Sequence, residues 1–221
     1  MRHSAVQARW QTTLALALCL VAGYLDGYGL LVLGTYVSFM SGNTTFTSVH
    51  LGQTQFGVAI PSAAAIVFFV LGSALGSLIM RSKIQRPHRV TFAVVAFLLA
   101  IVSALMAIHS VLATLAVAIL SFGTGMVNPV LSKIGTKSVS LTFMTGNLNR
   151  IGGHLASALR RDPTVDTEMP NRSHLKLAWI ELSVWLSFAS GAILASVLFS
   201  LLGKGVLIPP LVWMVLSVIL D

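Results

Sequence analysis

The sequence predicts an all-α, polytopic membrane protein. It expects six transmembrane helices, arranged as two inverted three-helix repeats in a single membrane domain over residues 1–221. Three observations predict it. The chain is 56% hydrophobic and 9% charged, with a mean hydropathy of +0.88, more apolar than a soluble core of this size requires. A pentapeptide occurs twice, FMSGN at 39–43 and FMTGN at 143–147, and a His-Leu pair follows each copy at the same spacing, His50-Leu51 and His154-Leu155. The basic residues alternate along the chain with the apolar runs.

The duplication extends past the motif. Phe69, Gly72, Gly76 and Ser77 are echoed by Phe188, Gly191, Ala195 and Ser196, in the same order after each motif. A repeat of this kind dictates the architecture. Repeat 1 covers about 14–109 and repeat 2 about 112–220.

Taken in order, a polar start with Arg2, Arg9 and Trp10 leads into helix 1, about 14–37. That length crosses a core of about 30 Å. A basic flank and an interfacial Trp suit the start of a membrane helix. The competing reading of this start is a cleaved signal peptide with an apolar core at 14–22. Helix 1 carries Asp26 between Gly23 and Gly27. Helix 2, about 58–80, takes Pro61 in its first turn, where proline is tolerated, and shows Gly72 and Gly76 on a small-residue face. A loop with Arg81, Lys83, Arg86 and Arg89 precedes helix 3, about 91–109. Helix 4, about 112–131, is expected to break at Gly123, Gly125, Asn128 and Pro129. A polar segment, about 132–174, holds the second motif, an apparent helix to about Arg160, and acidic residues Asp162, Asp166 and Glu168. Helix 5 runs about 176–202. Helix 6, about 206–220, holds Pro209-Pro210 and is short for a full span.

The charges orient these helices. With a cytoplasmic N-terminus and six spans, every Lys and Arg except Lys204 falls inside, as the positive-inside rule asks. The formal net charge of +8 therefore needs no nucleic-acid partner. Both termini are expected in the cytoplasm of a bacterial inner membrane. Cys19 is the one cysteine, so no intrachain disulfide forms.

The stretch AGYLDGYGLLVLGTYVSFMSGN and the later VSLTFMTGNLNRIG resemble the YoaK-like family of bacterial inner-membrane proteins, a domain of unknown function with about six membrane helices. The resemblance covers most of the chain. It implies the fold and the membrane location, and no substrate.

Three helices per repeat invert the second repeat relative to the first. Inverted repeats with broken helices are a feature of secondary transporters, whose sites lie near the midplane. The candidate binding residues follow from this. Asp26 in helix 1 and Asn128 in helix 4 sit in comparable places, given a two-residue gap. A mid-helix Asp costs about 2.5–3.5 kcal/mol on insertion scales, so it needs a partner or a role. Ser41 and Thr145 are N-cap residue types, and Gly42 and Gly146 permit close backbone approach. Asn43, Thr47 and His50 share one helical face, as do Asn147, Arg150 and His154. Helix N-termini favour anions. The expected partners are the lipid bilayer, a small-molecule anion and a proton, with a homo-oligomer allowed and no cofactor or metal, since no Cys or His cluster has ligand spacing. An enzyme is not expected: one buried acid and no nucleophile–base motif are visible. The expected function is a transporter of a small, anionic solute. The alternative is a non-transporting scaffold, in which the motifs are turns that let the repeats pack.

Overall fold

A computed structural model describes residues 2–108, 113–134, 144–162 and 173–220; the side chains of 2–11, 107, 108, 131–134, 204 and 220 lie outside it. Phe143 of the second motif, His109, Asp166 and Glu168 fall outside the described residues.

In a bilayer each backbone N–H and C=O must be satisfied within the protein, so apolar runs of this length fold as helices. The described residues form eight α-helices: α1 (Arg2–Tyr28), α2 (Met40–Gly52), α3 (Phe56–Arg81), α4 (Pro87–Ile108), α5 (Ala113–Ile134), α6 (Met144–Arg160), α7 (His174–Leu202) and α8 (Ile208–Leu220). Five are long and apolar enough to cross a membrane: the α1 segment at Thr12–Leu33, α3, α4, α5 at Ala113–Val130, and α7. The last apolar helix, Gly205–Ile219, falls below that length. The outer faces fit contact with lipid. Phe97, Leu78 and Leu201 stand 65%, 68% and 73% exposed, on a chain with too few charged residues to be at ease in water.

Three expectations change. Helix 1 does not run to 37. It widens at its end into a π-helical turn, Gly29–Leu33, which Gly34 closes in the left-handed conformation (φ 66°), where a Cβ would be strained. Helix 4 does not break either. The α5 helix passes unbroken through Gly123, Gly125, Asn128 and Pro129, because glycine keeps the helical hydrogen bonds and the tight neighbour α3 holds the segment in place. The break comes after α1, not within a helix. Pro61 also sits in the second turn of α3 rather than the first, since α3 begins at Phe56.

Two seams hold the bundle, one between α3 and α5 and one between α1 and α7. Both are backbone-on-backbone. A Cβ on Gly72 would land on the Phe122 carbonyl oxygen, and one on Gly125 on the Phe69 carbonyl. Across the other seam, a Cβ on Gly191 would land on the Leu20 carbonyl oxygen, and one on Gly23 on the Phe188 carbonyl. Glycine is needed at these four positions because only a missing side chain allows such approach. The contacts ascend together: Ser187 Oγ donates to Leu16 O at 2.7 Å, and further on Gly27 meets Ala192 and Ala195. Helices α1 and α7 therefore run parallel. So do α3 and α5, where Gly72 meets Phe122 and Gly76 meets Met126. The short helices attach outside the seams, α2 on α3 and α6 on α7, and α8 packs on α4.

Candidate functional site

The centre of the molecule is the non-helical stretch 35–39 between the π-helical turn and α2. Thr35, Val37 and Ser38 are buried, and a buried irregular backbone must find partners for its polar groups. It finds them in the residues singled out by sequence. The Asp26 carboxylate accepts the Val37 N–H at 2.8 Å, the Ser38 N–H at 2.7 Å and the Ser38 hydroxyl at 2.7 Å. Asn43 Nδ2 donates to the Tyr36 carbonyl at 2.8 Å. Thr124 Oγ1, from α5, donates to the Val37 carbonyl at 2.7 Å. The Thr35 N–H returns to the Gly29 carbonyl at 3.1 Å. So α1, α2 and α5 meet on one loop, and Asp26 has the partner that its burial demands.

The motif itself is used differently from the sequence expectation. Ser41 is no N-cap. The α2 helix starts at Met40 with Phe39 in the capping position, no side chain caps it, and Ser41 is exposed. Thr145 is likewise exposed, one residue inside the α6 helix that begins at Met144. The physical reason lies in the helix boundary: α2 begins at Met40, so Ser41 falls inside its first turn, while Asp26 takes the N–H groups of Val37 and Ser38 in the loop ahead of it. Gly42 is required for space, because a Cβ there would strike the Phe39 ring.

The second motif builds a charged cluster. Asn147 is fully buried. Its Oδ1 accepts a hydrogen bond from Arg150 Nη2, and its Nδ2 has no partner among the described residues. Arg150 also donates twice to Glu181 of α7, at 2.9 and 3.1 Å. Glu181 is 4% exposed. Residues 47 and 62 hold the corresponding contact of the first half, between α2 and α3, with two neutral hydroxyls: Thr47 Oγ1 and Ser62 Oγ stand 2.7 Å apart. Asn128 is half-buried on α5 and its Oδ1 is unpartnered among the described residues. Gly146 is buried in the first turn of α6.

The structure thus gathers Asp26 and Asn43 at one loop and Asn147 and Arg150 at another place, against α7. No hydrogen bond among the described residues joins the two clusters. A cavity of about 10 Å³, room for one water, lies beside the loop; Ser38 and Thr124 are its polar lining and Leu18, Leu25, Val127 and Met214 part of its apolar wall. Three contributors escaped the sequence reading. Ser38 and Thr124 carried no pattern to find them. Glu181 did, being an acid inside an apolar span like Asp26, so two acids rather than one are buried among the described residues.

The whole membrane region, residues 14–220, matches the family model described as "Protein of unknown function (DUF1275)". The chain belongs to this family. Among its relatives is the "UPF0700 transmembrane protein RA0705" of Rhizobium meliloti (strain 1021), 33% identical over 188 residues, which covers 84% of this chain and 74% of that one. The "UPF0700 transmembrane protein YoaK" of Bacillus subtilis (strain 168) is 28% identical over 148 residues, covering 64% of this chain and 65% of that protein, just under two thirds. No solved structure matches. The YoaK-like resemblance carried by the repeated motif is thereby established, and with it a membrane protein of a family whose function is unknown.

Proposed function

We propose that the chain is a secondary transporter of a small polar solute, built as two inverted repeats, α1–α4 and α5–α8. One observation carries the reading: the seams exchange partners between the halves. Helix α3 of the first half lies on α5 of the second, and α7 of the second lies on α1 of the first, through the same small-residue face. A constant shift of 102 residues superposes Leu20 on Phe122, Gly23 on Gly125 and Tyr24 on Met126, while a shift of 119 superposes Phe69, Gly72 and Gly76 on Phe188, Gly191 and Ala195. Asp26 and Asn128 fall on the first shift, so the pairing expected from sequence needs no gap within the helix. Alternate crossing by α1, α3, α4, α5 and α7 makes α1 parallel to α7 and α3 parallel to α5, the sense of both seams. Helix α8 is then the sixth span, and both termini face the cytoplasm of a bacterial inner membrane, with the basic loops inside.

In this conformation the pathway is closed, since the loop 35–39 fills the centre. Opening requires that loop to leave Asp26 and Thr124. Arg150 is the cation on the Asn147 face, and Glu181 neutralises it here; we therefore propose a polar solute, with anion selectivity and proton coupling as arms of the test.

A second reading, a non-transporting scaffold, is favoured by one fact: Asp26 and Asn43 have their hydrogen bonds committed to their own loop. Purified protein screened by thermal shift against small neutral and anionic solutes, with hits carried into proteoliposome uptake at two pH values, separates the readings. A transporter yields a hit that accumulates above protein-free liposomes and is weakened by Asn43→Ala and Asn147→Ala. Uptake at the protein-free level for every stabilising solute favours the scaffold.

A further inference from the structure

At the end of the α6–α7 contact, His154 and His174 turn their Nδ1 atoms toward each other at 3.3 Å, with the rings tilted by 38°. His154 lies one turn beyond Arg150 on the face that α6 presents to α7, and His174 is the first residue of α7. The separation is long for an N–H donor bond, which prefers about 2.7–3.2 Å. It matches the distance between two nitrogens on one tetrahedral metal: bonds of about 2.0–2.1 Å place them about 3.3 Å apart. The position that the motif repeat pairs with His154 behaves otherwise. His50 turns its Nδ1 to the Phe46 carbonyl at 2.8 Å and lies against the Phe46 ring, with centroids 4.0 Å apart. A facing imidazole is therefore a feature of the second half.

We propose that His154 and His174 form a two-imidazole site for a borderline transition-metal cation, Zn²⁺ or Ni²⁺, bridging α6 and α7. Imidazole suits these ions, whereas Mg²⁺ and Ca²⁺ take oxygen ligands. Among the described residues no third His, Cys, Asp or Glu joins the pair. The local charge permits a cation, because the Arg150 guanidinium is matched by the Glu181 carboxylate. Twenty residues separate the two ligands, which is why no ligand spacing shows in the sequence. The site would clamp the motif helix to a membrane-crossing helix, and it stands whether or not the protein transports a solute.

The test uses tag-free, chelator-washed protein in detergent, titrated with Zn²⁺, Ni²⁺ and Mg²⁺ by isothermal calorimetry with elemental analysis of the dialysed sample. One saturable equivalent of Zn²⁺ or Ni²⁺ per chain is expected, none of Mg²⁺. The equivalent should vanish in His154→Ala and in His174→Ala and persist in His50→Ala and His88→Ala. If either alanine variant fails to fold, His154→Gln and His174→Gln decide, since an amide keeps a hydrogen bond and binds the metal poorly. No saturable equivalent in folded wild-type protein, or one that survives both substitutions, overturns the proposal.

Discussion

Asp26 and Ser38 are joined twice: the Ser38 N–H reaches one carboxylate oxygen and its hydroxyl the other, each at 2.7 Å. An acid in the first membrane helix thereby holds down a buried loop, a task for which the carboxylate's acceptor-only character suits it.

Asp26→Asn keeps one acceptor oxygen for the Val37 and Ser38 N–H groups and turns an NH₂ to the Ser38 hydroxyl, whose own proton then loses its carboxylate acceptor. The expected outcome is a loss of about 1–3 kcal/mol, the usual cost of leaving buried donors unsatisfied, read as a lower midpoint of thermal unfolding in detergent. A wild-type midpoint for Asp26→Asn would show that the loop does not depend on the carboxylate.

The two seams should fail alike. Gly72→Ala and Gly191→Ala each push a methyl into a backbone carbonyl, and overpacking of this kind costs about 1–3 kcal/mol. Gly57→Ala and Gly152→Ala are the controls, since a Cβ at either meets nothing within 4 Å. Thermal melts of the four variants check it: matched losses at the seams and none at the controls.

The Arg150–Glu181 pair should show coupling. Glu181→Gln leaves a guanidinium with weaker partners, and Arg150→Met leaves a buried carboxylate alone. The double variant Arg150→Met with Glu181→Gln should be less damaged than the two single losses combined, by about 0.5–3 kcal/mol. A double-mutant cycle on thermal or denaturant midpoints measures this, and strict additivity would argue that the ion pair contributes nothing.

Much of the fold was legible because a bilayer leaves few options. Long apolar runs had to be helices, and α3 and α7 start within two residues of where hydropathy put them. The glycine face was legible too, as Gly72 and Gly191 recur in one pattern. The loop was not. Its anchors Ser38 and Thr124 are ordinary residues whose meaning depends on where α5 passes, a tertiary fact absent from local pattern. Ser41 misled because α2 begins one residue before it: the local cap rule is sound, but Phe39 holds the capping position. Gly125 and Pro129 misled in the other direction, since packing against α3 holds α5 helical through residues that local propensity would break.

The central claim, that the two halves are inverted in the membrane, is tested most directly by labelling single cysteines in a Cys19-free background with an impermeant thiol reagent on intact cells. Gln53, just after the first motif helix, and Arg161, just after the second, are the decisive pair, with Lys83 as the inside control. The account predicts that a cysteine at 53 is labelled from outside and that those at 161 and 83 react only after the membrane is opened. Labelling of 53 and 161 from the same side would contradict it.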